Sequence, residues 1–94
     1  MTFEVLVEVR LLAGIADPQG ATIERSLPAL GFAGVSAVRV GKAIRFCVDA
    51  PDAAAAETLA GEVTRRLLSN PVIEEATVTV RQPSPTATGG TQQP

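Results

Sequence analysis

From Phe3 to Leu11 the chain alternates, with Phe3, Val5, Val7, Val9 and Leu11 apolar and Glu4, Glu8 and Arg10 set between them. A period of two is the pattern of a strand with one face on a core and the other mostly polar. Leu6 and Leu12 interrupt the polar side, and apolar residues there suit a face that meets a partner. Asp17-Pro18-Gln19-Gly20 then marks a helix start, with Asp17 as the cap and Pro18 at the first helical position, where its missing N–H is no loss. The helix is expected to reach about Leu30 with Ile23, Leu27 and Leu30 on one side. Pro28 predicts a kink or an early end, and Gly31 or Gly34 closes the segment.

Val35 to Val48 is a long β-prone run broken at Gly41-Lys42, and two readings are open. Gly41 could begin a two-residue type II′ turn, giving a hairpin with Val38, Val40, Ile44, Phe46 and Val48 on one face and Arg39, Arg45 and Cys47 on the other. Alternatively the run is one bent strand with a bulge at Gly41, reaching beyond the domain to pair with another subunit. A second helix starts at Pro51-Asp52, capped by Asp52, with Ala56, Leu59, Ala60, Val63 and Leu67 as its apolar stripe. Asn70, which tolerates left-handed geometry, and Pro71 end it. Val72 to Arg81 returns to β character, with Val72, Ala76, Val78 and Val80 on one side.

Read with the hairpin, the order is βαββαβ. It packs most simply as an α+β, ferredoxin-like two-layer sandwich: an antiparallel four-stranded sheet with both helices on one face. The open sheet face is expected to carry Glu4, Glu8, Arg10, Arg39 and Arg45. Residues 1–82 form the single domain. Residues 83–94 hold no charge and no large apolar side chain, so a disordered polar tail is expected there.

Eight basic and ten acidic residues leave a net charge of -2, which provides no footprint for nucleic acid and no polybasic patch for a membrane. No apolar stretch approaches the ~20 residues of a membrane helix, and the N-terminus lacks the pattern of a secretion signal. The expectation is a soluble, cytoplasmic protein. Cys47, the single cysteine, lies in an apolar run and reads as a small hydrophobe.

The inventory for chemistry is thin. There is no histidine, which removes His-based general bases, triads and His metal ligands, and one cysteine builds no thiolate zinc site. Glu74 and Glu75 are adjacent in a strand and point to opposite faces. Asp17 to Gly20 reads as a cap, because no Gly-Lys-Ser/Thr phosphate motif follows. No catalytic, cofactor-binding or metal-ligating residue is assigned.

Three segments in register carry a resemblance: Asp17-Pro18-Gln19-Gly20, Val35-Ser36-Ala37-Val38-Arg39-Val40-Gly41-Lys42 and Leu67-Leu68-Ser69-Asn70-Pro71-Val72-Ile73-Glu74. Together they resemble the PurS family, the small subunit of phosphoribosylformylglycinamidine synthase. The resemblance implies a non-catalytic structural subunit that bridges a large ATP-dependent synthase subunit and a glutaminase subunit for ammonia transfer in purine (IMP) biosynthesis. It implies self-association as a dimer or tetramer, ligase activity only as part of the complex with glutamine as amide donor, and ATP and Mg bound by the large partner, not by this chain. Matching the motifs gives Asp17, Pro18, Gln19, Gly20, Arg39, Gly41, Lys42, Asn70, Pro71, Ile73 and Glu74 as candidate partner-interface positions. Turn or cap duty competes at Pro18, Gly20, Gly41, Asn70 and Pro71, whereas backbone geometry makes no demand for Gln19, Arg39, Lys42 or Glu74. The alternative function is a small-molecule-binding regulatory module of ferredoxin-like fold.

Overall fold

A computed structural model describes residues 1–83, so the tail expected from 83 onward falls, after Pro83, outside the described residues. Strand β1 (Thr2–Leu11) is the centre of an antiparallel sheet of order β2-β1-β3, with β2 at Gly41–Asp49 and β3 at Glu74–Arg81. Helices α1 (Pro18–Ser26) and α2 (Ala53–Val63) complete the fold. No helix among the described residues is long and apolar enough to cross a membrane.

The alternation of β1 explains its central place. Phe3, Val5, Val7 and Val9 are 1, 2, 0 and 2 % exposed, and they sit opposite Val48, Phe46, Ile44 and Lys42 on one side. Val5, Val7 and Val9 face Val80, Val78 and Ala76 on the other. Helix α2 closes this face with Ala56 and Ala60, both fully buried, and small side chains let its backbone come close to the sheet. Asp52 caps α2 as expected, its Oδ1 accepting the Ala55 N–H at 2.8 Å.

The apolar stripe of α2 differs from the expected one at Leu59, which is exposed, and in its last turn. From Thr64 to Leu68 the helix widens to a π turn, with the Ser69 N–H donating to the Thr64 carbonyl at 3.0 Å. The wider turn rotates the following residues, so Leu68 packs on the core while Leu67 is 79 % exposed. Thr64 is buried at the turn, and its hydroxyl is satisfied by donating to the Ala60 carbonyl at 2.8 Å.

The hairpin does not form, so the described sheet has three strands and not four. Val35 to Val40 is irregular, and β2 begins only at Gly41. The backbone N–H groups that a strand partner would have taken are bonded to side chains: Val38 donates to Glu24 Oε1 at 3.0 Å and Val40 to Asp17 Oδ2 at 2.8 Å. Ala37, at φ 58°, breaks the extended run further. Gly41 is demanded by crowding and not by a turn, since a Cβ there would meet the Val9 carbonyl at 2.7 Å. Arg39 is therefore not on the open sheet face.

Other local expectations are met or adjusted. α1 stops at Ser26, a 3₁₀ turn follows at Pro28–Leu30, and Gly31 at φ 94° closes it, which is the early end that Pro28 predicted. Val72 lies outside β3 and is exposed. Asn70 makes an Asx turn, its Oδ1 accepting the Val72 N–H at 3.1 Å, and does not use left-handed geometry. Cys47 is exposed on the polar face with Arg45, because it pairs with Glu4, on the face of β1 opposite Val5 and Val7. The open face is laced by Arg10–Glu75 at 3.1 Å and Arg81–Glu4 at 3.0 Å.

Val7→Asp should unfold the domain. It removes burial worth about 1.5–3 kcal/mol and adds a buried charge, against a total stability of roughly 5–15 kcal/mol. A thermal melt followed by far-UV circular dichroism checks this, and an unchanged midpoint would refute the β1 register.

Candidate functional site: a junction of three segments

The three sequence-distant segments meet where β1 leaves the sheet. Leu12 is their hub: its N–H donates to the Ile73 carbonyl at 2.9 Å, and its carbonyl accepts from Arg39 Nη2 at 3.3 Å. Arg39 Nη1 also donates to the Ile15 carbonyl at 3.2 Å, so one guanidinium holds two carbonyls of the outgoing chain. Gly41 and Glu74 flank the same exit, paired with Arg10 and Leu11.

Asp17 ties the start of α1 to this junction. Its Oδ1 accepts the Gly20 N–H at 2.8 Å, capping the helix, while Oδ2 accepts the Val40 N–H and lies 3.9 Å from Arg39 Nε. The side chain is only 7 % exposed. The Gly20 N–H, then the Val40 N–H, and least the Arg39 charge hold this carboxyl below its ordinary value of 3.8, overcoming the opposing effect of burial. Gly20 is buried against the Val38 carbonyl so closely that any Cβ would collide with it. Glu24 adds the second carboxylate strap, to Val38.

Of the candidate positions, Asp17, Gly20 and Arg39 are drawn into direct mutual or shared contacts, and Gly41, Ile73 and Glu74 join them through β1 and Leu12. Asn70 and Glu74 close on each other, with the Asn70 N–H donating to Glu74 Oε1 at 2.7 Å. Pro18, Gln19, Lys42 and Pro71 lie exposed around this core. Sequence reasoning missed Ile15 and Glu24, and it singled out Leu12 for its apolar side chain and not for its backbone groups. The spacing Asp17, Gly20, Glu24 on α1 was the available signal, because steps of three and four place all three on one helix side.

The segments that meet at the junction carry most of the exposed large apolar side chains among the described residues. Ile23, Leu30, Phe32 and Val35 belong to the α1 segment, and Leu67, Val72 and Ile73 to the α2–β3 connection. Among the described residues, no group of three or more His, Cys, Asp or Glu is placed to hold a metal ion. The junction offers shape, two carboxylate straps and an apolar surface, which suit docking better than bond making.

Residues 4–82 match the sequence profile of a known family, described as PurS: Phosphoribosylformylglycinamidine (FGAM) synthase. The chain belongs to the PurS family. A phosphoribosylformylglycinamidine synthase subunit PurS from Mycobacterium leprae is 43 % identical over 74 residues, covering 79 % of this chain and 90 % of that one. The corresponding subunit of Methanothermobacter thermautotrophicus is 37 % identical over 82 residues, covering 87 % and 96 %. A chain in the structure of PurLQS from Thermotoga maritima superposes with a TM-score of 0.79 at 32 % identity, covering 85 % of this chain and 98 % of its own. The PurS likeness therefore spans both the sheet and the three-segment junction.

Asp17→Asn should lower the melting temperature near neutral pH, because one of the two N–H groups then faces an amide donor. Asp17 titrates low when folded, so its contribution is fully present above 3.8 and is lost as pH falls through the depressed folded value. The variant should consequently lose less stability in acid than the wild type. Melting curves from neutral to strongly acidic pH test this, and equal acid dependence of the two proteins would refute the strap.

Proposed function

We propose that this chain acts as the non-catalytic structural subunit of phosphoribosylformylglycinamidine synthase that fixes an ATP-dependent synthase subunit and a glutaminase subunit relative to each other. Membership of the PurS family makes it a subunit of that ligase, acting in purine biosynthesis as part of a complex. The observation that carries the bridging role is the convergence of three sequence-distant segments at the exit of β1, segments that also carry most of the exposed large apolar side chains among the described residues. The likeness to a chain of the PurLQS structure supports assembly with two other proteins.

In this reading ammonia released from glutamine passes between two active sites, and the rate depends on how those sites are held. The small subunit contributes geometry; ATP and Mg are handled by the large subunit. The exposed members of the junction, Gln19, Lys42, Pro71 and Ile73, are the surface offered to partners. Asp17, Gly20, Arg39 and Gly41 hold that surface in shape, with Asn70 and Glu74 setting the adjoining turn. Two or four copies of the chain associate, and the complex works in the cytoplasm.

Reconstitution from purified subunits tests the proposal through glutamine-dependent amidination. Turnover should require this chain, and undiminished glutamine-dependent turnover in its absence would sink the bridging role. Lys42→Glu combined with Gln19→Arg should leave the melting temperature unchanged while cutting reconstituted activity by about tenfold or more, the effect of losing two interface contacts.

A further inference from the structure

We propose that the sheet face turned away from α2 holds the second contact surface of the bridge. It is a groove centred on Leu6 that takes an extended segment of one partner protein, carrying an apolar side chain for Leu6, a carboxylate for Arg45 and a basic group for Glu8. This rests on the bridging role proposed above and deepens it. Two unlike proteins held by one chain need two unlike surfaces, and the junction at the exit of β1 is only one. Leu6 stands six residues before Leu12, about 20 Å away along the strand, and leaves β1 on the side opposite Val5 and Val7.

The strand registers lay this face out in rows. Leu6 sits between Arg45 and Thr79; Cys47, Glu4 and Arg81 form the row before it, and Ala43, Glu8 and Thr77 the row after it. Leu6 is the one large apolar side chain in these three rows, and Ala43, Cys47, Thr77 and Thr79 keep its surroundings short and uncharged. The space above them is a groove of about 710 Å³, lined by Leu6, Arg45, Cys47, Thr79 and the Glu4–Arg81 pair. An apolar centre inside a charged rim is the anatomy of a protein contact surface.

The rim charges define the occupant. Arg10 is taken by Glu75 and Thr77, and Arg81 by Glu4. Arg45 and the Glu8 carboxylate, both exposed neighbours of Leu6, have no ion-pair partner among the described residues. A cation and an anion on two sides of an apolar centre demand the opposite charges on two sides of an apolar anchor, which also fixes the direction in which the segment lies. A small molecule fits less well. α2 packs against the other face and α1 makes at most marginal contact with the strands, so no described element roofs the groove, whereas small-ligand pockets cover about 70–90 % of what they bind.

The test is assembly from the tagged full chain and the purified large and glutaminase subunits, reading which partners the chain retains. Arg45→Glu, at an exposed site, should leave the melting temperature and the sedimentation equilibrium of the chain unchanged while weakening retention of one partner by about tenfold or more. Glu8→Lys should weaken retention of the same partner. Lys42→Glu with Gln19→Arg, at the junction, should weaken retention of the other. Retention of both partners by Arg45→Glu, loss of different partners by the two groove variants, or loss of the same partner by groove and junction variants would each overturn the groove assignment. Altered self-association of Arg45→Glu would give the face to a second copy and overturn it equally. If glutamine-dependent turnover requires the chain while Arg45→Glu assembles normally, only the groove assignment is wrong. If turnover is independent of the chain, the bridging role fails whatever the groove binds.

Discussion

One carboxylate determines where a third of this chain goes. Asp17 presents its two oxygens to two different pieces of backbone, the first turn of α1 and the extended segment before β2, and both N–H groups reach it at 2.8 Å. Removed from water and satisfied on both oxygens, it is worth more to the fold as an anion than as an acid, which the lowering of its pKa expresses. The Gly20 contact with the Val38 carbonyl, the Glu24 strap and the Arg39 hold on Leu12 and Ile15 all depend on the separation that this carboxylate sets.

The sheet was legible in the sequence because its central strand alternates without ambiguity on the side that matters. Phe3, Val5, Val7 and Val9 declare both the strand and the buried face, and the helix caps at Asp17 and Asp52 were equally plain. The fourth strand was misread for a physical reason. A run such as Val35 to Val40 has the same β-branched composition whether its N–H groups find another strand or find carboxylates reaching in from a helix, and local pattern carries no information on that choice. The face of α2 shifted in its last turn for a comparable reason, since a π turn adds one residue to the helix without leaving a mark in composition.

The junction was legible only in part. The motif residues pointed to the right segments, yet the hub, Leu12, is an ordinary leucine whose contribution comes from its backbone N–H and carbonyl. Backbone groups are the same at every residue, so no sequence signal could have marked it. Arg39 and Glu74 are engaged inside the chain, while Gln19 and Lys42 remain outward, a division that follows from the fold and not from residue type. For a PurS chain this arrangement fits a body whose contribution is shape, with charged groups spent on holding segments together.

The placement of β1 at the middle of the sheet also governs how the chain assembles. β1 is synthesised before both of its partners: it pairs on one edge with residues near position 45 and on the other with β3, Glu4 lying opposite Arg81. Until those distant residues exist, β1 has two open edges and an unshielded apolar face. Its pairing is therefore entirely long-range, a topology that slows folding and leaves β1 exposed to wrong pairings until synthesis passes residue 81.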